Sequence, residues 1–414
     1  MKKTILPIGP FHPIQEEPEC FQLQLDGERI VDMDVRIGYN HRGIEKLAET
    51  KTFHQIPFLV ERICGICSAS HPLAYVQAVE DIAGVKVPPR ALYLRTIVCE
   101  LERIHSHMLW VGLAGHFIGY NTVFMWAWKY REPVMDLLEE LTGSRINYAN
   151  ARVGGVARDI PNEELRKILP YCDVLDQALD LFLGAVADDP VIHARLKGVG
   201  VLSRADARDY AVTGPTARGA GVPIDVRRDD PYAAYGELDW DVVVEDSGDV
   251  FGMAVVRLKE LYESNKILRQ AVRKIPGGAV DAQIKSIPPG EAVGHAEAPR
   301  GETFHYVRSD GGAMPVRHKI RAPSFVNVPS FKARAIGETI SDAVLIMASV
   351  DPCYSCTERL AVVRSADGRV EMTGADLVRL SQAKTAEIRK HYGGTRLDEL
   401  LAASAAGAER VGDR

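Results

Sequence analysis

Residues 62–71 read Arg62-Ile63-Cys64-Gly65-Ile66-Cys67-Ser68-Ala69-Ser70-His71, and residues 351–359 read Asp351-Pro352-Cys353-Tyr354-Ser355-Cys356-Thr357-Glu358-Arg359. Each stretch holds two cysteines separated by two residues, a spacing that lets both sulfurs face one point from a turn or a helix start. Asp351 followed by Pro352 predicts a helix N-cap and a first-turn proline. Cys353 would then stand at a helix N-terminus, where the dipole and free N–H groups favour thiolate. Soft thiolates suit nickel, iron and zinc far better than magnesium or calcium. On chemistry alone the four sulfurs fit a structural zinc site, a redox dithiol or a catalytic metal centre. The spacing does not choose among these, so the flanking residues must.

The rest of the chain narrows the class. Seven cysteines in 414 residues, an odd and sparse count, do not suggest a disulfide framework. Cys20, Cys99 and Cys172 have no partner by spacing and read as ordinary buried cysteines. A net charge of −6 and the lack of any Lys/Arg run argue against nucleic-acid binding. Pro7, Pro10 and Pro13 interrupt any signal-peptide core after Lys2 and Lys3. The longest apolar runs, such as 343–350, fall far short of the roughly 20 residues a spanning helix needs. A cytosolic chain, or one docked on membrane partners, is expected.

Hydrophobic periodicity predicts an α+β fold that is mainly helical. Residues 1–40 alternate apolar and polar side chains around Asp26-Gly27, a hairpin pattern. Apolar residues then recur at three- and four-residue spacing over 45–145, in segments such as ALYLRTIVCELERIHSHMLWVGLAGH. Further helices are expected over 163–187 and 250–274, and a short one before Asp351. The Gly/Pro/Arg-rich TGPTARGAGVPIDVRRDDPY reads as an ordered loop between them, and 295–330 returns to strand-like alternation. The expected architecture is a central bundle of long helices with an N-terminal β hairpin or sheet and a smaller C-terminal strand region. No repeat and no clean linker precedes residue 360, so 1–359 is read as one integrated domain and 360–414 as an extension.

The pattern R-x-C-G-x-C-x-x-x-H early in a chain, with D-P-C-x-x-C-x-x-H/R late in it, resembles the nickel–iron hydrogenase large subunits. The likeness covers about residues 4–359 and is nearest to the membrane-bound, energy-converting branch. GPFHP…EEP, GYNHRGIEK, ELERIHSH, Val153-Gly154-Gly155, GPTARGAG, EAPRGE and SCTER all belong to it. The resemblance implies a large-subunit-like fold and a Ni–Fe centre whose iron also carries small diatomic ligands. Cys64 and Cys353 would be terminal on nickel, and Cys67 and Cys356 would bridge the two metals. Glu17, in the EEP segment, is similar to the family's proton-transfer glutamate, with Glu16 as a substitute. Arg300 resembles the arginine that hangs over the open metal position. Pro323 and Ser324 match packing and donor residues around the iron. Arg62 and His71 match donors toward the bridging sulfurs, with Asp351 in support. His105 and His107, on a largely apolar helix, read as core histidines and are held out of the site.

Uptake-type relatives end in a histidine after the last cysteine pair, and that histidine helps hold magnesium. Arg359 stands there in this chain, and a cationic arginine cannot ligate a metal, which argues against magnesium at this end. The same replacement marks the energy-converting branch, which is related to the quinone-site subunit of respiratory complex I. That subunit lacks the four cysteines. The resemblance further implies an iron–sulfur small subunit, membrane ion-translocating subunits, ferredoxin or a formate- or CO-oxidising module as electron source, and attachment to the inner face of the cell membrane. A maturation endopeptidase would cut between Arg359 and Leu360. A zinc-bearing scaffold subunit and a quinone-coupling subunit are the alternatives.

Overall fold

The computed structural model describes residues 4–358 apart from 14, 16 and 285, together with scattered positions between 363 and 387. The chain divides into one unit over Met1–Glu358 and a second over Arg359–Arg414. In the second unit, Val363–Arg364 pairs antiparallel with Val370–Met372. About half of the chain is helical, and the sheets are small and antiparallel.

Strands β1 (Thr4–Ile8), β2 (Cys20–Asp26) and β3 (Arg29–Arg36) form an antiparallel sheet in that order. Gly27 supplies the positive φ of 63° that the tight β2–β3 turn requires. Alternation puts Phe21, Leu23, Leu25, Ile30 and Met33 inside. They share an apolar cluster with Phe331, Met347, Val350 and Tyr354. The N-terminal sheet therefore anchors the segment that carries the second cysteine pair.

The larger core is built by helices α1 (Ser70–Ala83), α2 (Pro89–Phe117), α3 (Asn121–Thr142), α4 (Ile168–Ala187) and α5 (Val250–Lys274). Helix α2 packs on α3 and α5, and α5 packs on α4. Gly115 is what lets α3 come close, because a Cβ there would meet Val123 Cγ1 at 2.9 Å. The Asp249 carboxylate caps α5 by accepting from Gly252 N at 2.7 Å. The helix expected over 163–187 is broken into Asn162–Arg166 and α4. Pro170 explains the break: it has no N–H to return to the Arg166 carbonyl. The stretch expected as a loop after residue 212 contains two helical turns, Gly214–Arg218 and Val226–Asp229.

A second antiparallel sheet is formed by β4 (Pro289–Ala298), β5 (Gly301–Asp310) and β6 (Arg317–Arg321). Helix α1 lies on β4 and β5. Short helix α6 (Pro323–Asn327) follows, then α7 (Ile340–Ser349) and one turn, α8 (Tyr354–Thr357). Among the described residues, no helix is long and apolar enough to cross a membrane.

Candidate metal centre

All four cysteines of the two pairs are free, with at most 5 % of their surface exposed. The sulfurs of Cys64, Cys353 and Cys356 lie within 4.8 Å of one another. Cys353 and Cys356 Sγ are 2.9 Å apart, well beyond the ~2.05 Å of a disulfide bond. Cys67 completes the group through contacts with Cys64 and Cys356. In the first pair, Ile66 N and Cys67 N point at Cys64 Sγ at 3.3 and 3.4 Å. Hydrogen bonds from Cys353, Cys356 and Cys67 hold the Cys64 thiol well below its usual range. Burial, with hydrogen bonding from the other sulfurs, pushes the Cys356 thiol well up. Four sulfurs crowded this closely cannot all ionise beside a single arginine, but they can around soft cations. The donor set therefore fits a thiolate centre for soft metals.

The second pair is positioned differently from the sequence expectation. Cys353, not Asp351, is the residue at the N-cap of α8. Asp351 sits in the left-handed region at φ 57°, and its carboxylate turns away to Arg300. Cys353 N donates to Ser324 Oγ at 2.9 Å, and Thr357 Oγ1 donates to the Cys353 carbonyl at 2.7 Å. Ser324 lies in the first turn of α6 beside buried Pro323, and it is Ser324 that supports the cysteine loop directly.

Arg300 occupies the two-residue turn between β4 and β5, not a strand interior. Nε donates to the Asp351 carbonyl at 2.5 Å and Nη2 to Asp351 Oδ1 at 2.7 Å. Nη1 reaches Ser106 Oγ at 3.4 Å and Cys67 Sγ at 3.8 Å. One buried guanidinium thus ties the α2 helix, the β4–β5 turn and both cysteine segments. Burial pushes the Asp351 carboxyl up even against this cation. A cavity of about 30 Å³ abuts Asp351 and Pro352, and Phe21, Trp110, Phe117 and Met347 line it.

Glu17 meets the second pair by accepting from Ser355 N at 2.8 Å through Oε2. It also lines an open pocket with Pro10, Phe11, His12 and Pro18. Glu19, which the sequence reading did not single out, is fully buried nearby. Burial, then like charge from Glu358 and Glu17, pushes its carboxyl up to about 8. Its signal was the spacing EEPE, two residues after Glu17 on the way into β2.

His71 approaches Cys356 Sγ with Nε2 at 3.5 Å. Arg62 does not reach a sulfur: its guanidinium turns to the Phe58 carbonyl at 2.6 Å and to Glu61, and its side chain is half exposed. The nearby cation is Arg42, from the GYNHRGIEK segment. It donates to the carbonyls of Arg62, Ile63 and Ser355 at 2.9, 2.7 and 3.2 Å, bridging both cysteine segments. Sequence reasoning also missed Glu102, from ELERIHSH. Its carboxylate accepts from Ala69 N at 2.5 Å and Ser70 N at 3.2 Å, capping α1 where the first loop ends. Burial pushes the Glu102 carboxyl up to about 7. His105 Nδ1 accepts from Arg131 Nε at 3.0 Å and His107 Nε2 pairs with Glu260 at 2.9 Å, so each is held in the core through one ring nitrogen, while His105 Nε2 and His107 Nδ1 are buried with no partner among the described residues. Glu16, Arg359 and Leu360 lie outside the described residues.

Comparison with known proteins agrees with this geometry. Residues 42–112 match the nickel-dependent hydrogenase family, and residues 118–287 and 279–359 match the 49-kDa subunit of respiratory-chain NADH dehydrogenase. The chain is 43% identical to a membrane-bound hydrogenase subunit alpha of Pyrococcus furiosus, over 94% of this chain and 95% of that one. It is 41% identical to a carbon monoxide-induced hydrogenase of Rhodospirillum rubrum, over 87% of this chain and all of that one. A solved membrane-bound sulfane sulfur reductase, an archaeal respiratory membrane complex, contains a chain matching at a TM-score of 0.82 and 34% identity. That match covers 86% of this chain and 98% of the other. Similarity of this extent to hydrogenases and to the complex I subunit, in a chain whose two cysteine pairs converge on one buried point, identifies it as an oxidoreductase belonging to the large, catalytic subunits of membrane-bound nickel–iron hydrogenases, kin to the complex I 49-kDa subunit.

Proposed function

We propose that the chain interconverts protons and H2, 2H+ + 2e− ⇌ H2, at a Ni–Fe centre held by Cys64, Cys67, Cys353 and Cys356. The observation that carries this reading is the convergence of four buried thiols from opposite ends of the chain beneath one buried arginine. When bound, nickel and iron would be held by the sulfurs of Cys64, Cys67, Cys353 and Cys356 and would supply redox chemistry and polarise hydrogen. Diatomic ligands on iron belong to the same proposal.

The protein residues then have separate tasks. Arg300, fixed by Asp351, offers a cation that stabilises negative charge developing beside Cys67. Glu17 spans the short distance between the Ser355 amide and an open pocket, the position a proton carrier needs. The small cavity against Asp351 and Pro352 has the volume for a diatomic substrate, and its lining combines Phe21, Trp110, Phe117 and Met347 with the polar Gln15 and Asp351. Electrons would come from iron–sulfur clusters on a separate small subunit, because the remaining cysteines, Cys20, Cys99 and Cys172, are scattered and buried. Docking on membrane ion-translocating subunits at the inner face of the membrane, with ferredoxin or a formate- or CO-oxidising module as donor, completes the reading.

The 49-kDa match over most of 118–359 favours one second reading, a quinone-coupling subunit in which the thiols bind no nickel. Metal analysis with infrared spectroscopy of the purified complex separates them. Nickel and iron near one each per chain, with bands of iron-bound carbonyl and cyanide, are expected. Zinc alone, or no metal with tight quinone binding, refutes the hydrogenase reading.

A further inference from the structure

Behind the bridging position of Cys356, three histidines stand in single file. His71 Nε2 is 3.5 Å from Cys356 Sγ, and its Nδ1 is 2.9 Å from His305 Nε2. His305 Nδ1 is in turn 2.9 Å from His318 Nε2. The file crosses three elements: the first turn of α1, the inner face of β5 and the inner face of β6. All three rings are at most 1 % exposed. Tyr75, one helical turn after His71, packs its ring against both His305 and His318 at 6.4 and 5.2 Å, walling the file with carbon. Its hydroxyl points elsewhere, to the Phe53 carbonyl.

In such a file each ring fixes the tautomer of the next, since one nitrogen of each contact must carry the proton and the other must not. Two arrangements are possible. Either every Nε2 carries the proton and the file donates toward the sulfur, or every Nδ1 carries it and the file points outward. The outer end decides. His318 Nδ1 is buried and has no partner among the described residues. An outward file would leave a buried N–H orphaned there, the rarer and costlier defect, whereas the inward file leaves only a lone pair. A metal-bound thiolate at Cys356 asks for the same direction, because it has no proton to give.

We infer that His305 and His318 are positioning residues for the metal centre, which act through His71 to hold a neutral Nε2–H donor on the sulfur of Cys356. Transport of protons along the file is disfavoured by the same surroundings. Burial and the neighbouring rings press His305 well below its usual range, and burial presses His318 to about 3, so neither holds a passing proton. The inference rests on the Ni–Fe reading for its consequence, though not for its geometry.

Two measurements test it. Nitrogen-15 NMR of histidine-labelled, metal-free chain reads the tautomers directly: protonated Nε2 and bare Nδ1 are expected at His71 and His305. A protonated Nδ1 at either ring overturns the inference. In the loaded complex, infrared bands of the iron-bound diatomics read the sulfur. His318→Leu removes the donor to His305 and frees the file to reverse, so charge builds on the sulfur and the carbonyl band moves to lower wavenumber. His318→Gln, whose amide can still donate, returns the band to the wild-type position. An unmoved band in His318→Leu with full metal content, or equal shifts in both variants, overturns the proposal. If His318→Leu fails to load metal, the wild-type tautomers decide alone. Absence of carbonyl and cyanide bands from the wild type would instead sink the Ni–Fe reading, leaving the NMR result standing.

Discussion

Arg300 offers the sharpest test of how the site is held, because its contacts separate stability from chemistry. Arg300→Leu leaves Asp351, 5 % exposed, as an unpaired buried carboxylate, a change that costs about 3–5 kcal/mol in a buried pair. Arg300→Lys keeps a cation but loses the fork that reaches the Asp351 carbonyl, its carboxylate and Cys67 together. Losing one charge-assisted bond of this kind costs about 1.5–3 kcal/mol. Removing a preorganised donor at a reacting centre lowers turnover by about 100- to 1,000-fold. Urea unfolding of the metal-free chain and H2 evolution by the loaded complex therefore diverge. The leucine variant loses stability, and the lysine variant loses mainly turnover. Burial already raises the Asp351 carboxyl, and losing the arginine raises it further. The leucine variant should then be less destabilised at mildly acidic than at mildly alkaline pH, where the lone carboxylate must ionise. Wild-type turnover in Arg300→Lys, or wild-type stability in Arg300→Leu at alkaline pH, would refute the reasoning.

Glu17→Gln keeps an acceptor for the Ser355 amide, so metal content should hold while turnover and H2/D+ exchange fall by about 100-fold or more; unchanged exchange excludes Glu17 as the carrier. Glu19 is raised from 4.5 to about 8 in the folded chain, so its contribution to stability is whole below pH 4.5 and is lost as pH climbs through about 8. Glu19→Gln should flatten the stability–pH curve across that window, and an identical slope in mutant and wild type counts against the burial argument. Intact mass of the nickel-loaded subunit should show loss of residues 360–414 after cleavage between Arg359 and Leu360, and an active full-length chain refutes that processing.

The two C-x-x-C pairs were legible from residue type and spacing, because paired thiols have few uses besides metal and redox chemistry. Glu17 and Arg300 were not: an acidic loop and a lone arginine are ordinary surface features, and only the resemblance to the family singled them out. What stayed hidden was long-range. Arg42 and Glu102 act on backbone atoms of distant segments, and a carbonyl or amide partner leaves no mark in a sequence. His305 and His318 sit in an ordinary strand alternation, and only the register Val307↔His318 and His305↔Ile320 brings their rings together. The two misreadings were local rules overruled. Asp351 has a cap's chemistry, but a buried guanidinium claims its carboxylate, and Arg62 flanks the pair in sequence while facing solvent in space. The helical period over 163–187 was real, and Pro170 divided it all the same.

The grip of Arg42 has a consequence for how far this site can drift. Its three acceptors are main-chain oxygens, which every residue type presents alike. The side chains at 62, 63 and 355 can therefore change without loosening the alignment of the two cysteine loops. Position 42 has no such latitude, since no other side chain spreads enough parallel N–H groups to span three carbonyls. Tolerance to substitution should thus be lopsided around the centre: broad among the residues being held, and close to nil at the one that holds them.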